Sequence, residues 1–119
     1  MVKYIYLIRH GEIPQSAEGI PIDGDVPLTD RGVFQSRALA DYLSKLPIDF
    51  VIVSDLLRSR QTFYEFNKLC PETPYEITKL AREIYRIMIG GPPNVPHDDR
   101  RTEIDAKNIE MLWRYIEKL

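Results

Sequence analysis

The sequence predicts an α/β domain of three layers (α/β/α), with helices on both sides of a mainly parallel sheet. Three observations predict it. Short apolar runs alternate with segments whose apolar residues recur at helical spacing, the order expected of strand–helix–strand units. The 119 residues fit one domain, and a hydrophobic content of 44% supplies one core. The apolar runs end on polar residues able to do chemistry, and open parallel sheets bind ligands beyond the carboxyl ends of their strands.

The elements come in this order. Residues 2–8, rich in Tyr and Ile, read as a buried first strand that stops on Arg9, His10 and Gly11. The strand reads as a mount that fixes His10 in a sheet. Residues 12–28 carry Pro14, Gly19, Pro21 and Gly24, the punctuation of a loop. Thr29 is placed to cap a helix with Asp30 in its first turn. Phe34, Ala38, Tyr42 and Leu46, with Leu39 and Leu43, keep helical spacing until Pro47 ends the run. "FVIVS", 50–54, is a second buried strand. Ser54 or Asp55 can cap the next helix, whose stripe is Thr62, Phe63, Phe66 and Leu69 and which Pro71 closes. "YEITKL", 75–80, alternates as a shorter third strand. Residues 90–101 hold two Gly and three Pro and read as an irregular loop. Ile109, Leu112, Ile116 and Leu119 mark a final helix over 102–119. Because the chain stops on a helix, a further strand is expected next, and the whole, 1–119, reads as a single, apparently truncated domain.

Composition excludes several function classes. Sixteen basic and 18 acidic residues give a net charge of -2, so no bulk field draws nucleic acid or an anionic membrane. Basic–aromatic interleaving, a P-loop and a G-x-G turn are absent. No run approaches the roughly 20 apolar residues of a membrane span. The lone Cys70 has no internal disulfide partner and reads as a packing residue. No leader segment is evident, which makes the cytoplasm the expected location.

Three places carry candidate chemistry. His10 is the first: imidazole is a good nucleophile near neutral pH. Gly11 beside it removes a side chain where a ligand must approach closely, and Arg9 offers a planar fork of donors for phosphate oxygens. A strand-end His bonded to backbone is the plainer alternative. The second is "SDLLRSRQT", 54–62. Arg58, four residues past Ser54 on the first turn of a helix, can point back over the strand ends, whereas Arg60 reads as a solvated residue. The third is Glu83 in "LAREI", past the third strand. A carboxylic acid there could protonate a leaving oxygen, or be an ordinary surface Glu near Arg82 and Arg86. His97 precedes Asp98 and Asp99 directly, and adjacent loop residues rarely converge on one ion, so no metal site is expected.

"LIRHGE", "DVPLTDRGVFQS", "SDLLRSRQT" and "LAREI" resemble, in order and spacing, four signatures of the histidine phosphatase superfamily, the phosphoglycerate mutase-like family. The resemblance covers residues 5–84, the N-terminal part only. It implies a phosphoglycerate mutase-like fold that lacks its C-terminal strands here. It implies that His10 takes the phosphoryl group as a phosphohistidine and that Arg9 and Arg58 clamp its oxygens. Glu83 would give the leaving group its proton and later take one from water. Gln35 and Leu28-Thr29 would be structural. No metal or organic cofactor is implied. The partners implied are a small phosphorylated substrate or inorganic phosphate, with neither nucleic acid nor membrane.

The chain also departs from the pattern. The family's second catalytic His, in a Ser-His-Gly type motif at the end of a fourth strand, is absent, and His97 does not substitute for it by sequence. That fourth strand lies between strands one and two in the family, so residues 5–8 and 51–53 are expected not to pair. A homo-oligomer or a second chain is expected to complete the sheet. Ile13 stands where many members have Thr or Ser, and the family's Asn is not evident in "PQSAEG", which argues against mutase activity. The expectation is therefore a phosphohydrolase acting on phosphate monoesters. The competing expectations are an inactive phosphate- or partner-binding remnant and a phosphoglycerate mutase fragment.

Overall fold

The computed structural model describes residues 3–18, 25–82 and 99–119. In chain order the elements are α1 (Pro14–Glu18), α2 (Asp30–Ser44), β1 (Val51–Ser54), α3 (Leu57–Leu69), β2 (Tyr75–Thr78), a 3-10 turn (Lys79–Ala81) and α4 (Asp99–Lys118). This is an α/β fold with a small parallel sheet.

Helix α2 begins as its sequence dictates. Thr29 is extended, and its side chain accepts from Gly32 N at 3.0 Å. Such a cap satisfies one of the first-turn donors that no intrahelical carbonyl can reach. The helix ends two residues before Pro47, at the Lys45 cap. Strands β1 and β2 pair in parallel, Val51 with Tyr75 through Ser54 with Thr78, and α3 is their crossover. The core lies between α2 and α3, where Ala40, Leu43 and Phe66 are buried with Leu39, Leu46, Ile48, Val51, Phe63 and Cys70 against them. Phe63 also tilts against Tyr75, with ring centroids 4.7 Å apart, and so ties α3 to the sheet. Cys70 is thus a packing residue, as its position at the end of an apolar stripe suggests.

Three local expectations need correction. Pro14 opens a short helix and does not break one. Proline suits the first helical position because its missing N–H would have had no partner there. Neither Ser54 nor Asp55 caps α3: Leu56 holds the cap position without a side-chain bond, and Leu57 N donates instead to Asp25 Oδ1 at 2.7 Å. Leu69 is exposed, so the buried stripe of α3 is Arg58, Thr62 and Phe66.

The largest correction concerns the first strand. Residues 3–10 belong to no strand, and Tyr4, Ile5, Tyr6, Leu7 and Ile8 are all exposed, Leu7 to 93%. No side chain from 4 to 8 is buried, so it is not the buried strand its composition suggests. A strand needs a neighbour, and β1 does not pair with it, as expected from the separation of these two segments in the family sheet. The segment lies along α4, where Ile5 and Leu7 line a groove with Ile109, Leu112, Trp113 and Ile116. Lys3 Nζ donates to the carbonyls of Ile116 and Glu117 at 3.3 and 3.2 Å, where the helix has acceptors to spare and favours a cation. Helix α4 reaches β2 through the Tyr115 hydroxyl, which donates to the Glu76 carboxylate. Among the described residues no helix is long and apolar enough to cross a membrane.

Candidate functional site

His10 stands where the exposed segment meets the packed part of the molecule. Its Nδ1 lies 2.7 Å from the carbonyl oxygen of Gly11. A carbonyl can only accept, so in the neutral ring the proton sits on Nδ1 and the lone pair on Nε2. Nε2 is buried and has no hydrogen-bond partner among the described residues. Buried polar atoms without partners are few, because each costs free energy. A bare lone pair in a fixed direction is the state a nucleophilic imidazole requires.

The residues directly after His10 hold it. Gly11 N donates to Thr62 Oγ1 at 3.0 Å, and that hydroxyl donates to the carbonyl of Arg58 at 2.8 Å. Glu12 N donates to Gln35 Oε1 at 2.9 Å, while Thr29 N donates to the Glu12 carbonyl at 2.9 Å. The Thr29 hydroxyl donates to the Glu12 carboxylate at 2.9 Å. Ile13 is fully buried. Leu28 is buried too, and its N–H donates to Gln61 Oε1 at 2.7 Å. Thr29 and Gln35 therefore support the 10–13 segment, and Leu28 ties the chain before α2 to α3.

Two glycines let this segment lie against α2. A Cβ on Gly11 would stand 2.4 Å from the carbonyl oxygen of Gly32, and a Cβ on Gly32 would stand 2.2 Å from that of Glu12. Neither distance admits a side chain. The sequence assigns Gly11 to the approach of a ligand; the structure gives it to the approach of α2. Gly32 is absent from the sequence-derived candidates, although a glycine in the first turn of a helix costs about 1 kcal/mol against Ala and so signals a packing reason.

Arg58 is buried in the first turn of α3. The helix dipole disfavours a cation there, and burial adds a desolvation cost. Helix stability does not account for this residue. Thr62 joins its backbone to Gly11, so a chain of hydrogen bonds links the His10 and Arg58 segments. Arg9 is exposed, and no hydrogen bond or ion pair holds it among the described residues. Arg60 is exposed, as expected, and its Nε donates to the Asp55 carbonyl at 3.0 Å. Glu83 and His97 lie outside the described residues. Among the described residues no group of three His, Cys, Asp or Glu side chains is arranged to hold a metal ion.

One pair is not visible from sequence. Asp55, directly after β1, takes two hydrogen bonds from Arg82, from Nε and Nη2, each at 2.7 Å. The Arg82 hydrogen bonds hold the Asp55 carboxyl below the usual carboxylate range, and Asp55 in turn raises Arg82. The partners are 27 residues apart, and no periodic pattern connects them.

Comparison with known proteins identifies the family. The family model of the histidine phosphatase superfamily, branch 1, matches residues 5–108. A probable phosphatase of Schizosaccharomyces pombe is 38% identical over 81 residues, which cover 66% of this chain and 38% of that protein. The probable phosphoglycerate mutase GpmB of Serratia proteamaculans is 42% identical over 67 residues, 56% of this chain and 31% of that one. Among solved structures, a mycobacterial glucosyl-3-phosphoglycerate phosphatase superposes with a TM-score of 0.55 at 25% identity, over 62% of this chain and 35% of its own. The chain thus spans between about a third and two fifths of the length of these relatives. Because one family model covers most of the sequence, including the histidine with the bare nitrogen, the chain belongs to the histidine phosphatase superfamily, branch 1.

Proposed function

We propose that this chain carries the phosphate-binding and nucleophilic part of a phosphomonoesterase that works through a phosphohistidine on His10. The observation that supports this most is the buried Nε2, bare of partners while Nδ1 is fixed on Gly11 O. Nε2 attacks phosphorus, the ester P–O bond breaks, and the leaving oxygen takes a proton from the Glu83 carboxyl. Water then attacks the phosphoryl group, the P–N bond breaks, and the Glu83 carboxylate takes the water proton. Arg9 and Arg58 neutralise the charge that spreads over the equatorial oxygens, where fixed positive groups supply most of the stabilisation.

Hydrolysis is favoured over mutase chemistry because Ile13, at a position where the family often has Thr or Ser, is apolar and wholly buried. The substrate class is a small phosphate monoester, and inorganic phosphate is the product. The exposed apolar residues 4–8 and the strand edge beside β1 support completion of the sheet by a second copy or a second chain. That completion would also supply the positive donor the family draws from its second His. A cytoplasmic location belongs to the same proposal, in keeping with a single cysteine.

The test is to mix the chain with p-nitrophenyl phosphate, quench in alkali and map the phosphoryl group by mass spectrometry. An acid-labile phosphoryl group on His10, and none in His10→Ala, is expected. Nitrophenol release that persists in His10→Ala contradicts the assignment.

A further inference from the structure

We propose that Gln35 is a positioning residue for the nucleophile: by accepting from the Glu12 N–H it fixes the carbonyl that keeps the proton on His10 Nδ1. This rests on the phosphohistidine function proposed above. The Glu12 N–H and the Gly11 carbonyl belong to one planar peptide unit, trans to each other across its C–N bond, so orienting one orients the other. The N–H of this unit lies on Gln35 Oε1, 2.9 Å away, and its oxygen stands 2.7 Å from His10 Nδ1. The units on either side are anchored elsewhere. Gly11 N donates to the buried Thr62 hydroxyl, and the Glu12 carbonyl accepts from Thr29 N. Those anchors do not stop the middle unit from turning about the line between its two Cα atoms, because such a turn leaves the flanking units in place. Gly11, at the start of the unit, has no Cβ to hinder it. The two hydrogen bonds on the unit itself, to Gln35 and to the ring, oppose the turn.

The consequence falls on the imidazole. Turned over, the unit would present its N–H to the ring. Nδ1 would then accept, the proton would move to Nε2, and the lone pair that attacks phosphorus would be lost. Held as it is, the unit does the reverse. Hydrogen bonds in series polarise one another, so a peptide that donates through its N–H accepts more strongly through its carbonyl. The series runs from Gln35 Oε1 through Glu12 N–H and Gly11 C=O to His10 Nδ1–H, and leaves the lone pair on the buried Nε2. Gln35 stands one turn past Gly32 on α2, where the absence of a side chain brings the segment within reach. Gln35 is itself exposed, so packing of its own side chain does not account for the contact.

Three variants test this. Gln35→Met keeps the length and removes the acceptor oxygen. Gln35→Asn keeps the amide but draws it back by one methylene. Gln35→Glu keeps an acceptor oxygen at full reach. Each is compared with the unsubstituted chain in the His10 tautomer, read by long-range proton–nitrogen NMR, in kcat and KM on p-nitrophenyl phosphate, and in the urea midpoint. In Gln35→Met and Gln35→Asn the proton is expected to spread over both ring nitrogens. Their kcat is expected to fall about three- to tenfold, the worth of one neutral hydrogen bond. Their KM is expected to stay within about twofold, because the loss falls on attack and not on binding. Gln35→Glu is expected to restore the tautomer and to bring kcat within about twofold of the unsubstituted chain. A lower urea midpoint with an unchanged tautomer would make Gln35 a brace of the fold and overturn the proposal. A loss in Gln35→Glu as large as in Gln35→Met would overturn it too. If His10 forms a phosphohistidine and both Gln35→Met and Gln35→Asn match the unsubstituted chain, the inference fails while the nucleophile assignment stands. If no phosphohistidine forms on His10 in the unsubstituted chain, the proposed function falls, and the role of Gln35 with it.

Discussion

The two sides of His10 are built in opposite ways. Residues 4–8, before it, are apolar, exposed and part of no strand. Residues 11–13, after it, are buried or half-buried, and Gly11 and Glu12 are hydrogen-bonded to α2, α3 and the Thr29 cap. The approach to α2 is close enough that two facing positions must be glycine. The difference locates the support of the nucleophile. His10 is held from its C-terminal side, through Thr62, Gln35 and Thr29, and not by the strand that its apolar prefix suggests. The contacts that hold His10 therefore do not depend on the preceding segment being paired in a sheet.

The contrast can be broken from the packed side first. Gly32→Ala pushes a methyl group into the Glu12 backbone, where no flexible side chain can give way. Overpacking of this kind is expected to cost about 1–3 kcal/mol, read as a lower urea midpoint with an unchanged slope. An unchanged midpoint would mean that the 10–13 segment does not rest on α2. From the exposed side the effect on folding is small. Leu7→Ser is expected to shift the unfolding free energy by less than about 0.5 kcal/mol, because a side chain this open loses little when truncated. The same substitution is expected to weaken association, since exposed apolar residues beside an open strand edge invite pairing. Sedimentation checks this. The unsubstituted chain is expected to run above its 13.9 kDa monomer and Leu7→Ser closer to it. A single monomeric species with cooperative unfolding contradicts a sheet that needs completion.

What can be read from the sequence divides along the same seam. Helices α2, α3 and α4 and strands β1 and β2 come from local periodicity, and the Thr29 cap from one residue type ahead of an apolar stripe. The first strand does not, because composition reports an inclination to pair and says nothing of whether a neighbour is there. The Asp25 cap on α3, the Gly11–Gly32 contact and the Asp55–Arg82 pair join residues 21 to 32 positions apart in the chain. No spacing rule reaches that far. Family resemblance names His10, Arg9, Arg58 and Glu83 as the groups to be tested. It assigns Gly11 no contact, and local pattern gives that glycine to a ligand, because the space it clears is filled by a helix that begins 19 residues later.

The most direct measurement of the central claim is the tautomer of His10, read by long-range proton–nitrogen NMR at about pH 8.5, where an ordinary imidazole is neutral. The proton is expected on Nδ1, with Nε2 bare, in the unsubstituted chain and unchanged in Leu7→Ser, but averaged between the two nitrogens in Gly32→Ala. A proton on Nε2 in the unsubstituted chain would contradict the account, as would a ring disturbed by Leu7→Ser and untouched by Gly32→Ala.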